Sequence, residues 1–145
     1  MRILLLGEYS NFHNTLKIGL KKNGHEVLLA GRKDGFKNYD VDIDFDPVFF
    51  SKHIFRKIKN LIFIILKLDI SSIELIYTFY LNRKYLKGYD VVQLINEFPI
   101  KSTPLVEKIL LRYIFKHNKK VMLSVDGLLG INALNGMINE INFEA

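Results

Sequence analysis

Short apolar runs alternate with stretches of helical spacing along most of the chain. Arg2 to Leu6 is apolar after its first residue and stops at Gly7. Phe12, Leu16, Gly19 and Leu20 follow at helical spacing, with Ser10 or Asn11 placed to cap the helix and Asn23-Gly24 to close it. Glu26 to Ala30 is the next apolar run. Strand, helix and strand make a βαβ unit, and the lack of polar alternation within its strands is the mark of parallel strands covered on both faces.

From Tyr39 to Asp46 the pattern changes: Val41, Ile43 and Phe45 alternate with Asp40, Asp42, Asp44 and Asp46, which predicts an edge strand with one acidic face. A helical stretch over about 50–68 carries Ile54, Ile58, Leu61, Ile62 and Ile65 on one face. A second opens at Ser71-Ser72-Ile73-Glu74, a capping-box pattern, and closes at Gly88. Asp90 to Ile95 is another core strand. Thr103-Pro104 starts a helix whose expected buried face is Leu105, Val106, Ile109, Leu110, Tyr113 and Ile114, and Lys120 to Val125 is the last strand. Beyond Gly127, Ile131, Leu134, Ile138 and Ile141 suggest a short helix.

The rhythm predicts an α/β fold, a Rossmann-like open parallel sheet flanked by helices, over residues 1–127, with 128–145 as a tail. Ligands in such sheets bind beyond the carboxyl ends of the strands. The ends to inspect are Gly7-Glu8-Tyr9-Ser10, Gly31-Arg32-Lys33, Asn96-Glu97 and Asp126-Gly127.

Composition narrows the classes. The 145 residues are 49% hydrophobic and 25% charged, enough for one domain with a real core. The absence of cysteine excludes disulfides, thiolate metal sites and a cysteine nucleophile. The first apolar run is too short for a secretory signal, and Leu61 to Leu66 meets Lys67 and Asp69 well short of a membrane span, so the expected location is cytoplasmic. The net charge of +6 is concentrated: residues 51–89 carry eight basic groups against Asp69 and Glu74, and the flanking regions balance. Lys52, Arg56, Lys57 and Lys59 precede the apolar run, while Arg83, Lys84 and Lys87 stand beside Tyr77, Tyr80 and Tyr85. A basic stretch of this kind suits an anionic membrane surface, or else a helix packed on the sheet with its lysines in water; no nucleic-acid motif accompanies it.

No dinucleotide or phosphate-loop pattern is present, because Gly7 stands alone and is followed by Glu8. Glu8, Glu97 and Asp126, predicted at neighbouring strand tips, could grip sugar hydroxyls or abstract a proton from one; the bland alternative is solvated loop acids. His13 is either a base or anion contact or a surface residue. The acidic alternation over 40–46 fails the EF-hand pattern, with Phe45 at the glycine position, so no metal is expected.

The segments M-R-I-L-L-L-G-E-Y-S-N-F-H-N, N-G-H-E-V, Y-D-V-V-Q-L-I-N and K-V-M-L-S-V-D-G together resemble the N-terminal half of GT-B glycosyltransferases, nearest to bacterial enzymes of the glycosyltransferase 4 type that build surface polysaccharides. The resemblance covers about residues 1–127. It implies an acceptor-binding domain that transfers sugar from a nucleotide-sugar to a glycan or lipid-linked acceptor only together with a donor-binding domain, without an obligatory metal or cofactor. Matched by position, it assigns Gly7, Glu8, Tyr9, Asn96, Glu97, Asp126 and Gly127 to the acceptor side, with Glu97 and Asp126 as the catalytic candidates. It also implies peripheral attachment to the inner face of the cell membrane through residues 51–89. The chain departs from the family in having no E-x7-E pair and in its sequence after Gly127. A non-catalytic α/β module docking a membrane or protein through 51–89 is the alternative.

Overall fold

Ile3 and Leu5 point to one side of the first strand and Leu4 and Leu6 to the other, and all four are buried, as a central parallel strand requires. A computed structural model shows what covers them; it describes residues 1–33, 39–48, 70–96 and 98–124. The elements are β1 (Arg2–Leu6), α1 (Phe12–Lys22), β2 (Glu26–Gly31), β3 (Ile43–Asp44), α2 (Ile70–Asn82) continuing into a 3-10 turn at Arg83–Tyr85, β4 (Val91–Leu94), α3 (Pro104–His117) and β5 (Val121–Leu123). Every strand pair is parallel, in the order β3-β2-β1-β4-β5.

Leu16 and Leu20 of α1 close over Ile3, Leu5, Val27 and Leu29, while Leu75 and Phe79 of α2 and Val106, Leu110, Leu111 and Ile114 of α3 cover Leu4, Leu6, Val92 and Leu94. Helices therefore lie on both faces of an open parallel sheet, which is a Rossmann-like α/β fold. Cutting any of Leu4, Leu5 or Leu6 to alanine would cost about 2–5 kcal/mol, since each is fully enclosed. The strand order reverses at β1, whose neighbours are β2 and β4, and at such a point the loops leaving the two strands turn to opposite faces and open a crevice between them.

Four sequence expectations change. The acidic edge strand lies at the sheet edge but is only Ile43–Asp44, because the Asp46 N–H turns back onto Asp44 Oδ1 at 2.8 Å and ends it. The helix expected to start at Ser71 already includes Ile70, and Glu74 Oε1 accepts the Val48 N–H at 2.6 Å. It ends at Asn82, with only a 3-10 turn between it and Gly88. On α3, Leu105 and Ile109 are 69% and 45% exposed, and the buried stripe is Val106, Leu110, Leu111 and Ile114, with Glu107 among them. The helix expected over 50–68 and the tail 128–145 lie outside the described residues.

The candidate binding cleft

Gly7 sets the geometry where β1 leaves the sheet. Its φ is +90°, and an added Cβ would sit 2.5 Å from Ile95 Cγ2 and 2.8 Å from the Pro99 carbonyl, so only glycine lets the segment after β4 come down against the end of β1. On the other side the Gly7 N–H donates to the Ala30 carbonyl at 2.8 Å. The chain then passes Ser10 (φ +50°) and Asn11 (φ +67°) into α1. Asn96 (φ +144°) and Lys101 (φ +54°) are the other non-glycine residues with positive φ among those described. All four lie beyond the carboxyl ends of β1 and β4, and backbone strain of this kind gathers at binding sites.

Between these segments lies a cleft of about 670 Å³, within the size range of small-ligand sites. Tyr9, Asn11, Phe12, Thr15, Asn96 and Ser124 form its wall with Ser10 and Ile95. Tyr9 and Phe12 are 46% and 48% exposed, so two aromatic rings stand open to a ligand. None of the described lining side chains is charged. The polar ones are amides and hydroxyls, which can donate as well as accept. Ser124 is held by Gln93, whose Nε2 donates to its Oγ at 2.6 Å.

Glu8 points away from this wall. It is 2% exposed, and its Oε2 accepts the backbone N–H and the side-chain amide of Asn14 at 2.9 and 2.8 Å. The cap of α1 is thus a carboxylate from the preceding loop, while Asn11 at the cap position makes no side-chain cap bond. Glu8 is accordingly neither a solvated loop acid nor a wall of the cleft. His13, read from sequence as a base, an anion contact or a surface residue, is fully buried. Its Nδ1 lies 2.6 Å from the Gly7 carbonyl, which can only accept, so Nδ1 carries the proton and Nε2 is a bare acceptor. Burial lowers its pKa below the usual histidine value, against the Gly7 carbonyl and the Glu8 charge. Glu8 Oε1 and His13 Nε2 are both buried without a hydrogen-bond partner among the described residues.

Sequence reasoning passed over Glu107. This residue is 1% exposed in the first turn of α3, and its Oε1 accepts the Ser102 N–H at 2.9 Å. Burial pushes its carboxyl up to about 7, against the Ser102 and Ile100 N–H groups and Arg32. Its signal was the spacing T-P-x-x-E, which puts an acid inside the first helical turn.

Of the residues expected on the acceptor side, the structure brings Tyr9 and Asn96 into the cleft, puts Gly7 against its floor and buries Glu8. Glu97, Asp126 and Gly127 lie outside the described residues, as do Lys52, Arg56, Lys57 and Lys59. Arg83, Lys84 and Lys87 are exposed after α2, with the Arg83 guanidinium 4.1 Å from the Tyr80 ring centroid and Lys84 Nζ 4.7 Å from that of Tyr85. The acidic alternation is used internally: Asp42 takes Lys17 and the Leu29 N–H, and Asp46 takes Arg32 and the Lys33 N–H. No group of three metal-binding side chains occurs among the described residues. None of their helices is long and apolar enough to cross a membrane.

Fold and cleft together define an open parallel α/β domain with a crevice at its switch point. No family model, curated protein or solved structure matches the chain.

Proposed function

We propose that the domain binds a polyhydroxylated ligand in this cleft and acts as the acceptor-binding half of a GT-B glycosyltransferase. The observation that carries the reading is the described wall: two open aromatic rings, Tyr9 and Phe12, among the amides and hydroxyls of Ser10, Asn11, Thr15, Asn96 and Ser124. Aromatic faces suit the apolar side of a sugar ring, and groups that both donate and accept suit its hydroxyls. A second feature argues against a nucleotide in the same place. Dinucleotide folds seat a pyrophosphate on the first helix N-terminus, and here the Glu8 carboxylate already occupies it through Asn14. Donor recognition and the chemical step belong, on this reading, to a partner domain.

Nuclear magnetic resonance titration of the full chain with neutral oligosaccharides tests the proposal. The amide signals of Tyr9, Asn11 and Asn96 should move and saturate, Tyr9→Ala and Phe12→Ala should weaken the effect several-fold, and nucleotide-sugars should leave these signals in place. Nucleotide-sugar binding at this cleft, with oligosaccharides inert, would overturn it.

A membrane-facing role is supported by a separate observation on α2. Ile73, Tyr77, Tyr80 and Leu81 are each more than half exposed, and Arg83 and Lys84 follow directly. Apolar and tyrosine side chains next to cations suit an anionic lipid surface, which would hold the domain beside a lipid-linked acceptor.

A further inference from the structure

We infer that a second, smaller hollow beside the cleft is a phosphate-binding pocket, so that the ligand the domain takes is a phosphorylated glycoside. The sugar half of this statement rests on the reading of the cleft above; the pocket stands on its own geometry. It holds about 260 Å³, many times the room one water needs and just short of a whole small-molecule site, which suits a single ionic group. Arg32, from the end of β2, and Lys101, Ser102 and Thr103, from the segment before α3, line it together with Pro47 and Leu75.

Arg32 is fixed in place. Its Nε donates to Asp46 Oδ1 at 2.8 Å and its Nη1 to the Lys101 carbonyl at 3.0 Å, while Nη2 makes no hydrogen bond to a described residue. A guanidinium held by two bonds with donors to spare is preorganised for oxyanion binding, in the fork geometry that phosphate accepts. Asp46 offsets one positive charge, the buried Glu107 carboxyl also acts on Arg32 from α3, and Lys101 supplies a second cation that no carboxylate among the described residues pairs. The positive φ of Lys101 aims its carbonyl at Arg32, and its ammonium stands 5.7 Å from the Tyr9 ring centroid. Tyr9 lines the cleft and Lys101 the pocket, so one residue pair joins the two hollows. The Thr103 hydroxyl makes no cap bond to α3. The seat an anion would otherwise take, at the start of α1, is filled by Glu8.

The test follows amide signals of the full chain under titration with inorganic phosphate, acetate, a neutral methyl glycoside and a soluble sugar phosphate, and follows cosedimentation with vesicles containing phosphatidic acid. Phosphate should move Arg32 and residues 101–103 to saturation and acetate should not. Lys101→Gln, at an exposed position, should weaken phosphate about tenfold without altering the melt. The sugar phosphate should move the signals of both hollows and bind at least tenfold more tightly than the neutral glycoside. Phosphatidic-acid vesicles that bind in a Lys101-dependent way, with the sugar phosphate inert, would assign the phosphate to a lipid headgroup. Phosphate shifts that are absent, matched by acetate or unchanged in Lys101→Gln would overturn the pocket. Phosphate shifts at 101–103 with no response of Tyr9 or Asn96 to any glycoside would overturn the sugar reading alone.

Discussion

Glu8 grips Asn14 twice, taking both its backbone and its side-chain N–H on one carboxylate oxygen. This single contact ties the end of the central strand to the first turn of the first helix. Glu8→Ala should cost about 1–3 kcal/mol, since it removes a helix cap and leaves a part-buried backbone donor bare. Glu8→Gln keeps an acceptor and should cost less. Chemical denaturation of both variants checks the order, and equal stability of Glu8→Ala and wild type would refute the capping role.

Gly7 and Gly19 should respond in opposite directions to the same change. Gly7→Ala meets Ile95 and the Pro99 carbonyl at a positive φ, so it should destabilise the fold and shift the Tyr9 and Asn96 signals together. Gly19 lies inside α1 with nothing within 4 Å of an added Cβ, and Gly19→Ala should stabilise by roughly 0.5–1 kcal/mol. Thermal melts of the pair read both signs.

Two buried groups give stability opposing pH slopes. Glu107 rises from 4.5 to about 7 on folding, so the native state holds its proton more tightly. Its contribution is full below pH 4.5 and is lost as pH rises to about 7, a swing of roughly 3 kcal/mol. His13 falls below 6.5 on folding, so its contribution is present above 6.5 and is lost as pH drops through its lowered value. Unfolding curves across this range should show that Glu107→Gln removes the falling limb and leaves the His13 effect intact. A wild-type minus Glu107→Gln difference that stays flat from pH 4.5 to 7 would show that Glu107 is not strongly shifted.

The α2 face predicts cosedimentation with vesicles containing anionic lipid at low salt, weakening as salt screens the charge. Changing Tyr77 and Tyr80 to Ser should reduce it through lost apolar contact, and changing Arg83, Lys84 and Lys87 to Ser should remove the salt dependence. Equal sedimentation with neutral vesicles would point to nonspecific adhesion.

The sheet was legible because Ile3 to Leu6 and Val27 to Ala30 are apolar on both faces, as buried parallel strands are, and Val91, Val92 and Leu94 come close to the same pattern. The phase of α3 was not. Its sequence carries apolar residues at 105, 106, 109, 110, 111, 113 and 114, broad enough for two overlapping stripes, and the side facing α2 and the sheet decides between them. His13 was misjudged for a related reason. The partner of its buried ring is the Gly7 carbonyl, a backbone acceptor that has no letter in a sequence. The pairing of Arg32 with Lys101 spans 69 residues and leaves no local trace.

The Cα of Gly7 and the site where Gly31 would carry a Cβ are 3.0 Å apart, and Ile95 and Pro99 close the remaining side. Main chain meets main chain there, so neither glycine can gain a side chain without pushing the joint apart. Variation in what such a domain accepts must then be written around the opening, in Tyr9, Phe12, Asn96 and Lys101, while the depth beneath them stays constant. A library randomised at those four positions would sample ligand preference without touching the joint that sets the cleft's depth.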